Sequence, residues 1–229
     1  MLISTSINAQ WYEDVNSFAK HTAFAHGFMA FYSHFFGLGL LALMLLLAWW
    51  RARSSVDPAQ YVARVLWAAG GTVVAWGIAH YIFKPLFAER RPYLVIAHSE
   101  VLLQRTNGFS FPSGHATIAG AVIVGLWLST DKLIASLATI FGLFLAFGRV
   151  YTGMHYPGDV LGGLLWGGVF VLALFPIAVA LLDKFDKALL RRPPLDWLVS
   201  AKADDASSRV TDSTRSEQLA DAGSSTQRP

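Results

Sequence analysis

The residues of this chain whose types can do chemistry together sit in three short stretches. "KPLFAERRP" opens on Lys84 and closes on Arg91 and Pro92, "PSGH" runs from Pro112 to His115, and "GRVYTGMHYPGD" carries Arg149, His155 and Asp159. Lys84, Arg91 and Arg149 border apolar runs, where an unpaired charge is costly. Too few carboxylates lie nearby in the chain to balance them, so the counter-ion they call for is an anionic ligand. An arginine fork matches phosphate oxygens two at a time and a lysine adds a point charge, which makes a phosphoryl group the best fit. "PSGH" adds the amides of Ser113, Gly114 and His115 at a helix start, where free N–H groups and the positive end of the helix dipole favour an anion. Gly114 admits close approach of the backbone, and Ser113 offers a hydroxyl donor.

His155 precedes a helix predicted to begin at Pro157, a favoured first position. That start puts Asp159 in the first turn, from which its carboxylate can curl back to the imidazole. A carboxylate on one ring nitrogen selects the tautomer and leaves the other nitrogen free to attack phosphorus. His115, arriving from another helix, can protonate the leaving oxygen and then activate water against the phosphohistidine. The cations stabilise the charge on the equatorial oxygens of the transition state. This chemistry calls for no metal or other cofactor, and the sequence offers no carboxylate cluster to hold Mg²⁺.

Taken singly, each of these residues has a plain structural reading. Lys84 and Arg149 read as anchors at helix ends, Pro112 and Ser113 as a helix start, and Asp159 as a complement to a helix dipole. Three ordered clusters that the helix layout brings to one membrane face favour the joint reading. His26, His34 and His80 belong to no cluster and read as packing or interfacial groups, and His21 and His98 as surface residues. Glu89, Arg90 and Arg105 adjoin the pocket in sequence.

The elements that must position these residues are membrane helices. Of 229 residues 54% are hydrophobic and 14% charged, and mean hydropathy is +0.44; soluble domains carry about a quarter charged residues. Five apolar segments approach the roughly 20 residues that cross a bilayer: 27–50, 61–83, one that starts within 111–122 and runs to Leu128, 132–151 and 157–182. Backbone groups in lipid must pair internally, so these are helices, and their glycines at 120, 125, 162, 163, 167 and 168 read as packing sites. Ahead of them, Ile7, Trp11, Val15 and Phe18 recur at helical spacing against Glu13, Asn16 and Lys20, an amphipathic surface helix. Leu181–Leu198, with Lys184, Lys187, Arg191 and Arg192, reads as a second interfacial segment, and Trp49-Trp50 as an interface belt. The predicted fold is all-α: residues 1–200 form one membrane-embedded bundle, and 201–229 a disordered polar tail.

Net charge is +3, with no basic cluster interleaved with aromatics, so no nucleic-acid partner is expected. The absence of cysteine excludes disulfides. The first twenty residues lack the basic stretch and compact apolar core of a cleavable signal peptide. Arg51, Arg53 and Arg64, with the basic residues after the fifth span, belong in the cytoplasm. That places the connections 84–112 and 151–156 outside, against the count of Lys84, Arg90, Arg91 and Arg105, so these cations serve something other than orientation. Nothing in the sequence specifies an oligomeric state.

The spacings Lys84–x6–Arg91-Pro92, Pro112-Ser113-Gly114-His115 and Arg149–x5–His155–x3–Asp159 resemble the three signature motifs of the type 2 phosphatidic acid phosphatase family of membrane lipid phosphatases. One departure is visible: the third motif of that family opens Ser-Arg, and here Gly148 precedes Arg149, which removes one hydroxyl contact. The resemblance implies an α-helical bundle and a metal-independent phosphohydrolase. Its catalytic residues would be His155, His115 and Asp159, and its phosphate-binding residues Lys84, Arg91, Ser113, Gly114 and Arg149. Within the family, the five-span layout, "INAQWYEDVNSFA" and "GRVYTGMHYPGDVLGG" are most similar to bacterial undecaprenyl-diphosphatases of the cytoplasmic membrane, with an outward-facing site. The motifs read phosphate and not the tail, so phosphatidylglycerophosphate, phosphatidate and transfer to another envelope lipid remain alternatives. A transporter or scaffold would place its polar groups near the bilayer midplane, whereas here they gather at helix ends.

Overall fold

The computed structural model describes residues 6–129, 132–190 and 195–201. Of the polar tail expected over 201–229, residues 202–229 lie outside the described residues, as do Arg191 and Arg192. Among the described residues, six α-helical segments make up the bundle. α1 is Ser6–His21. α2 runs through His26–Phe31, a π-helical turn Tyr32–Phe36, and Gly37–Ala52. α3 runs through Pro58–Ile78, a second π-helical turn Ala79–Phe83, and Lys84–Phe87. α4 is Gly114–Leu128, α5 Lys132–Tyr151 and α6 Pro157–Leu189.

Local chemistry sets the helix ends. Asp57 accepts from the Gln60 amide at 3.3 Å ahead of Pro58, so α3 starts with a side-chain cap and a proline in its first turn. α3 stops at Ala88, which turns left-handed at φ +47° and returns its amide to the Lys84 carbonyl. Between α5 and α6, Gly153 takes φ +76°, and a Cβ there would also strike the Glu100 carbonyl, so a side chain is excluded on both counts.

α4 lies at the centre and packs most extensively against α6, with α3 and α5 also against it. The α4–α6 crossing is close because it is lined by glycine: a Cβ on Gly120 would collide with the Leu164 carbonyl, one on Gly167 with the Thr117 carbonyl, and one on Gly163 would lie 2.6 Å from the Ser113 carbonyl. Leu41, Val62, Val122, Leu126 and Leu145 are buried between the helices, while Leu46, Val73, Leu133 and Leu165 stand bare on the outside. An outward apolar surface on helices of this length suits lipid. The chain is a multi-pass membrane protein.

Three expectations change in detail. α2, α3, α5 and α6 are long and apolar enough to span a bilayer, but α4 has 15 residues, about 22 Å of helix. The chain enters it through Phe111, whose ring lies against Gly162, and a cis Phe111–Pro112 peptide. Residues 181–189 continue α6, which reaches Leu189, rather than forming a separate interfacial helix. In α1, Ile7, Trp11 and Phe18 do form the outward apolar face. Asn16, however, is buried with Asn8 and Tyr12 along the other side. That side docks on loop backbone: Asn16 exchanges hydrogen bonds with the amide and carbonyl of Glu100, both at 2.8 Å, Asn8 accepts from the Gly158 amide at 2.9 Å, and Tyr12 reaches the Gly153 carbonyl at 3.4 Å. Irregular backbone needs such partners, and side-chain amides supply both a donor and an acceptor.

Candidate active site

The connections 88–113 and 152–156 meet at one end of the bundle, and the three polar stretches converge there on a cavity of about 270 Å³. Lys84 comes from the last turn of α3, Arg91 from the connection after it, Gly114 and His115 from the start of α4, Arg149 from the last turn of α5, and His155 from the reversal that follows; all line the cavity. The reversal is folded onto the end of α5, because the amides of Met154 and His155 both donate to the Arg149 carbonyl at 3.2 Å.

His155 is 2% exposed, and its two ring nitrogens meet different partners. Nδ1 lies 3.4 Å from Asp159 Oδ2 and 3.3 Å from Ser110 Oγ. The Ser110 hydroxyl donates to that same Asp159 oxygen, so it can only accept from His155. Nε2 lies 3.4 Å from Arg91 Nη1, which is a donor only. Both sides agree on one tautomer: the proton sits on Nδ1 and the lone pair of Nε2 faces the cavity. Burial, then the charges of Arg91, Arg149 and Lys84, hold the His155 pKa well below its ordinary value, so the ring is neutral and its contact with Asp159 is a hydrogen bond rather than an ion pair. Asp159 also accepts from the Tyr156 amide at 2.9 Å, which ties it to the start of α6.

The cations are held by backbone carbonyls. Lys84 Nζ donates to the Phe109 carbonyl at 2.7 Å; Arg91 donates from Nε to Gly108 at 2.8 Å and from Nη1 to Met154 at 3.0 Å. Carbonyls carry no net charge, so the positive charge of the cluster stays available to an anion. His115 stands on the wall with its Nε2 3.4 Å from the His34 carbonyl. Ser113 and Asp159 lie behind the wall, wholly buried. The Ser113 amide donates to the Asp159 carbonyl at 3.0 Å and is not free for a ligand, contrary to expectation, because the α4–α6 crossing engages it. Its hydroxyl oxygen is buried without a partner among the described residues. The Gly114 amide is the first of α4 and Gly114 lines the cavity, so the helix start still faces the ligand space.

His34 and His80, expected to be packing or interfacial groups, both line the cavity beside Trp76. Each sits in one of the two π-helical turns, irregularities that recur at functional sites. Glu89, Arg90 and Arg105 are not on the wall. Ser110 and Ser33 were not among the expected site residues. Ser110 lies two residues before Pro112 in a connection without periodicity, and Ser33 inside an apolar run, so neither stands out by spacing. Below the polar cavity, an apolar one of about 340 Å³ opens between α2, α3 and α4, and Trp76 is common to both. Among the described residues no three His, Asp or Glu side chains gather as a metal site.

A family model described as the PAP2 superfamily matches residues 64–182, the stretch that holds the whole cavity end of α3, α4, α5 and most of α6. The chain belongs to the PAP2 superfamily. This PAP2 protein is 30% identical over 160 residues to the undecaprenyl-diphosphatase BcrC of Bacillus subtilis (strain 168), covering 69% of this chain and 78% of that one. It is 34% identical over 86 residues to an undecaprenyl-diphosphatase of Sulfolobus acidocaldarius, covering 38% of this chain and 42% of that one. The fold matches the crystal structure of a transmembrane PAP2 type phosphatidylglycerolphosphate phosphatase from Bacillus subtilis with a TM-score of 0.56 at 21% identity, over 82% of this chain and 90% of that one. Membership makes the chain a membrane lipid phosphatase and its substrate a lipid phosphate.

Proposed function

We propose that this PAP2 protein hydrolyses undecaprenyl diphosphate to undecaprenyl phosphate and inorganic phosphate through a phosphohistidine. The observation that carries the reading is the unprotonated Nε2 of a neutral His155, which faces a cavity ringed by Lys84, Arg91 and Arg149, with His115 on the wall. Nε2 attacks the terminal phosphorus, and the bond to the bridging oxygen breaks as His115, which takes up a proton when the anionic substrate binds, delivers that proton to it. His115, now neutral, takes a proton from water as that water attacks the phosphohistidine, which frees phosphate and restores Nε2. Asp159 and Ser110 hold the Nδ1 proton and stabilise the positive ring that forms. The cations and the Gly114 amide bind the phosphoryl oxygens. Every role is filled by a side chain or amide, so the reaction runs without a metal.

The apolar cavity that shares Trp76 with the site gives the lipid tail a way between the helices, and the likeness to BcrC favours a polyprenyl tail. The site faces the periplasm or cell exterior of a bacterial cytoplasmic membrane. Arg51 and Arg53 mark the opposite end, and Lys84 and Arg91, being 9% and 7% exposed inside the site, do not count toward orientation.

The test is phosphate release by the purified protein from undecaprenyl diphosphate, phosphatidylglycerophosphate and phosphatidate, with and without a chelator. Undecaprenyl diphosphate is expected to turn over fastest, the chelator to leave the rate unchanged, and His155→Ala to abolish it. Preference for phosphatidate, or full activity in His155→Ala, overturns the substrate or the mechanism respectively.

A further inference from the structure

Gly148 and Arg149 stand together near the end of α5, and the space beside Gly148 is filled from α2. A Cβ on Gly148 would lie 3.1 Å from Ser33 Cβ and 3.6 Å from Ser33 Oγ. Ser33 is wholly buried, and both its carbonyl and its hydroxyl oxygen accept from one Arg149 nitrogen, Nη1, at 3.1 and 3.2 Å. Ser33 sits in the π-helical turn Tyr32–Phe36, where the Gly37 amide reaches back five residues to the Tyr32 carbonyl. Widening a helix by one residue interrupts its ladder and leaves carbonyl capacity for other donors. Two successive carbonyls of this turn use it, Ser33 for Arg149 and His34 for His115.

A guanidinium has five N–H donors in a flat fork. With Nη1 committed to Ser33, the plane of Arg149 is set. The edge formed by Nε and Nη2 keeps no protein partner among the described residues, and Nε is fully buried without one. That edge is one of the two that grip a phosphate bidentately.

The geometry points to Ser33 as the positioning residue of Arg149. It holds Nη1 from behind so that the Nε–Nη2 edge is presented to the phosphoryl group, and Gly148 stays bare so that Ser33 can reach. This inference rests on the phosphatase reading above. It places a determinant of phosphate affinity in α2, ahead of the residues that the family model matches.

The probe is orthovanadate, a phosphate mimic, titrated calorimetrically into the detergent-purified full chain and used as a competitive inhibitor of phosphate release. Ser33→Ala keeps the carbonyl contact and loses the hydroxyl, so vanadate is expected to bind roughly tenfold more weakly, the size of one charge-assisted hydrogen bond. KM should rise by a similar factor and kcat fall less. Gly148→Ser pushes on Ser33 from the other side and should weaken vanadate at least as much, which gives a second reading should Ser33→Ala not purify. The exchange Ser33→Gly with Gly148→Ser moves the hydroxyl across the same contact and should recover most of the affinity. Unchanged vanadate affinity in Ser33→Ala, a loss confined to kcat, or a double variant whose losses simply add would each overturn the inference. Vanadate binding needs no lipid, so a failure to cleave undecaprenyl diphosphate leaves this measurement standing. A wild-type protein that binds no vanadate removes the phosphatase reading and this inference together.

Discussion

Arg91 Nη1 lies 3.4 Å from His155 Nε2. A guanidinium nitrogen can only donate, so this contact requires a lone pair on the nitrogen that faces the cavity. In the proposed reaction, the residue that binds the phosphate thus also selects the nucleophilic form of the histidine before substrate arrives. Arg91 is fixed for this by the Gly108 and Met154 carbonyls, one from each of the two connections that form the site.

Asp159→Asn tests the other end of the imidazole. An amide can turn its NH₂ toward Nδ1 and favour the opposite tautomer, and it cannot stabilise the positive ring that forms on attack. We expect kcat to fall by about 10²- to 10⁴-fold, with vanadate affinity changed much less, measured by phosphate release and by calorimetry on the same preparation.

Ser110→Ala removes the hydroxyl that bridges His155 and Asp159. Asp159 still lies within reach of Nδ1, so the loss should be smaller, about tenfold in kcat, the order of one hydrogen bond to a charged group. A rate equal to wild type would show the bridge to be dispensable.

The depressed pKa of His155 has a consequence for stability. An unfolded histidine titrates near about 6.5. Below that pH the unfolded chain takes up a proton that the buried ring refuses, so the unfolded state binds more protons and stability falls as pH falls. The contribution is fully present above about 6.5 and is lost progressively toward the lower folded value. Thermal midpoints of the detergent-solubilised protein should therefore drop between about pH 7 and pH 5, and His155→Gln should flatten part of that drop.

Asn16→Ala should loosen the site without touching it. The substitution strips both backbone partners from Glu100, whose segment also hydrogen-bonds the reversal before His155 through Leu102 and Thr152. The expected cost is about 1–3 kcal/mol, read as a lower thermal midpoint and faster proteolysis within 95–108. Glu13→Ala, on an exposed position of the same helix, should change neither.

Hydropathy runs and helix punctuation were enough to place the spans, because burial in lipid demands apolar residues in runs of definite length and internally paired backbone. The motif residues were legible for a related reason. The proposed phosphate chemistry calls for cations, a helix start and a histidine–carboxylate pair, and those residue types are rare at the ends of apolar helices. Asp159 falls beside His155 through helical geometry alone, one turn along a helix that Pro157 starts. The partners with no periodic or local signature come into view only in the folded chain. Ser110 joins the pair from an irregular connection, Ser33 and His34 act through backbone carbonyls that a π-helical turn exposes, and Asn16 serves a loop rather than solvent. In each case the contact joins residues far apart in the chain, and for Ser33, His34 and Asn16 it uses backbone groups that every sequence carries, so only placement in space distinguishes these partners.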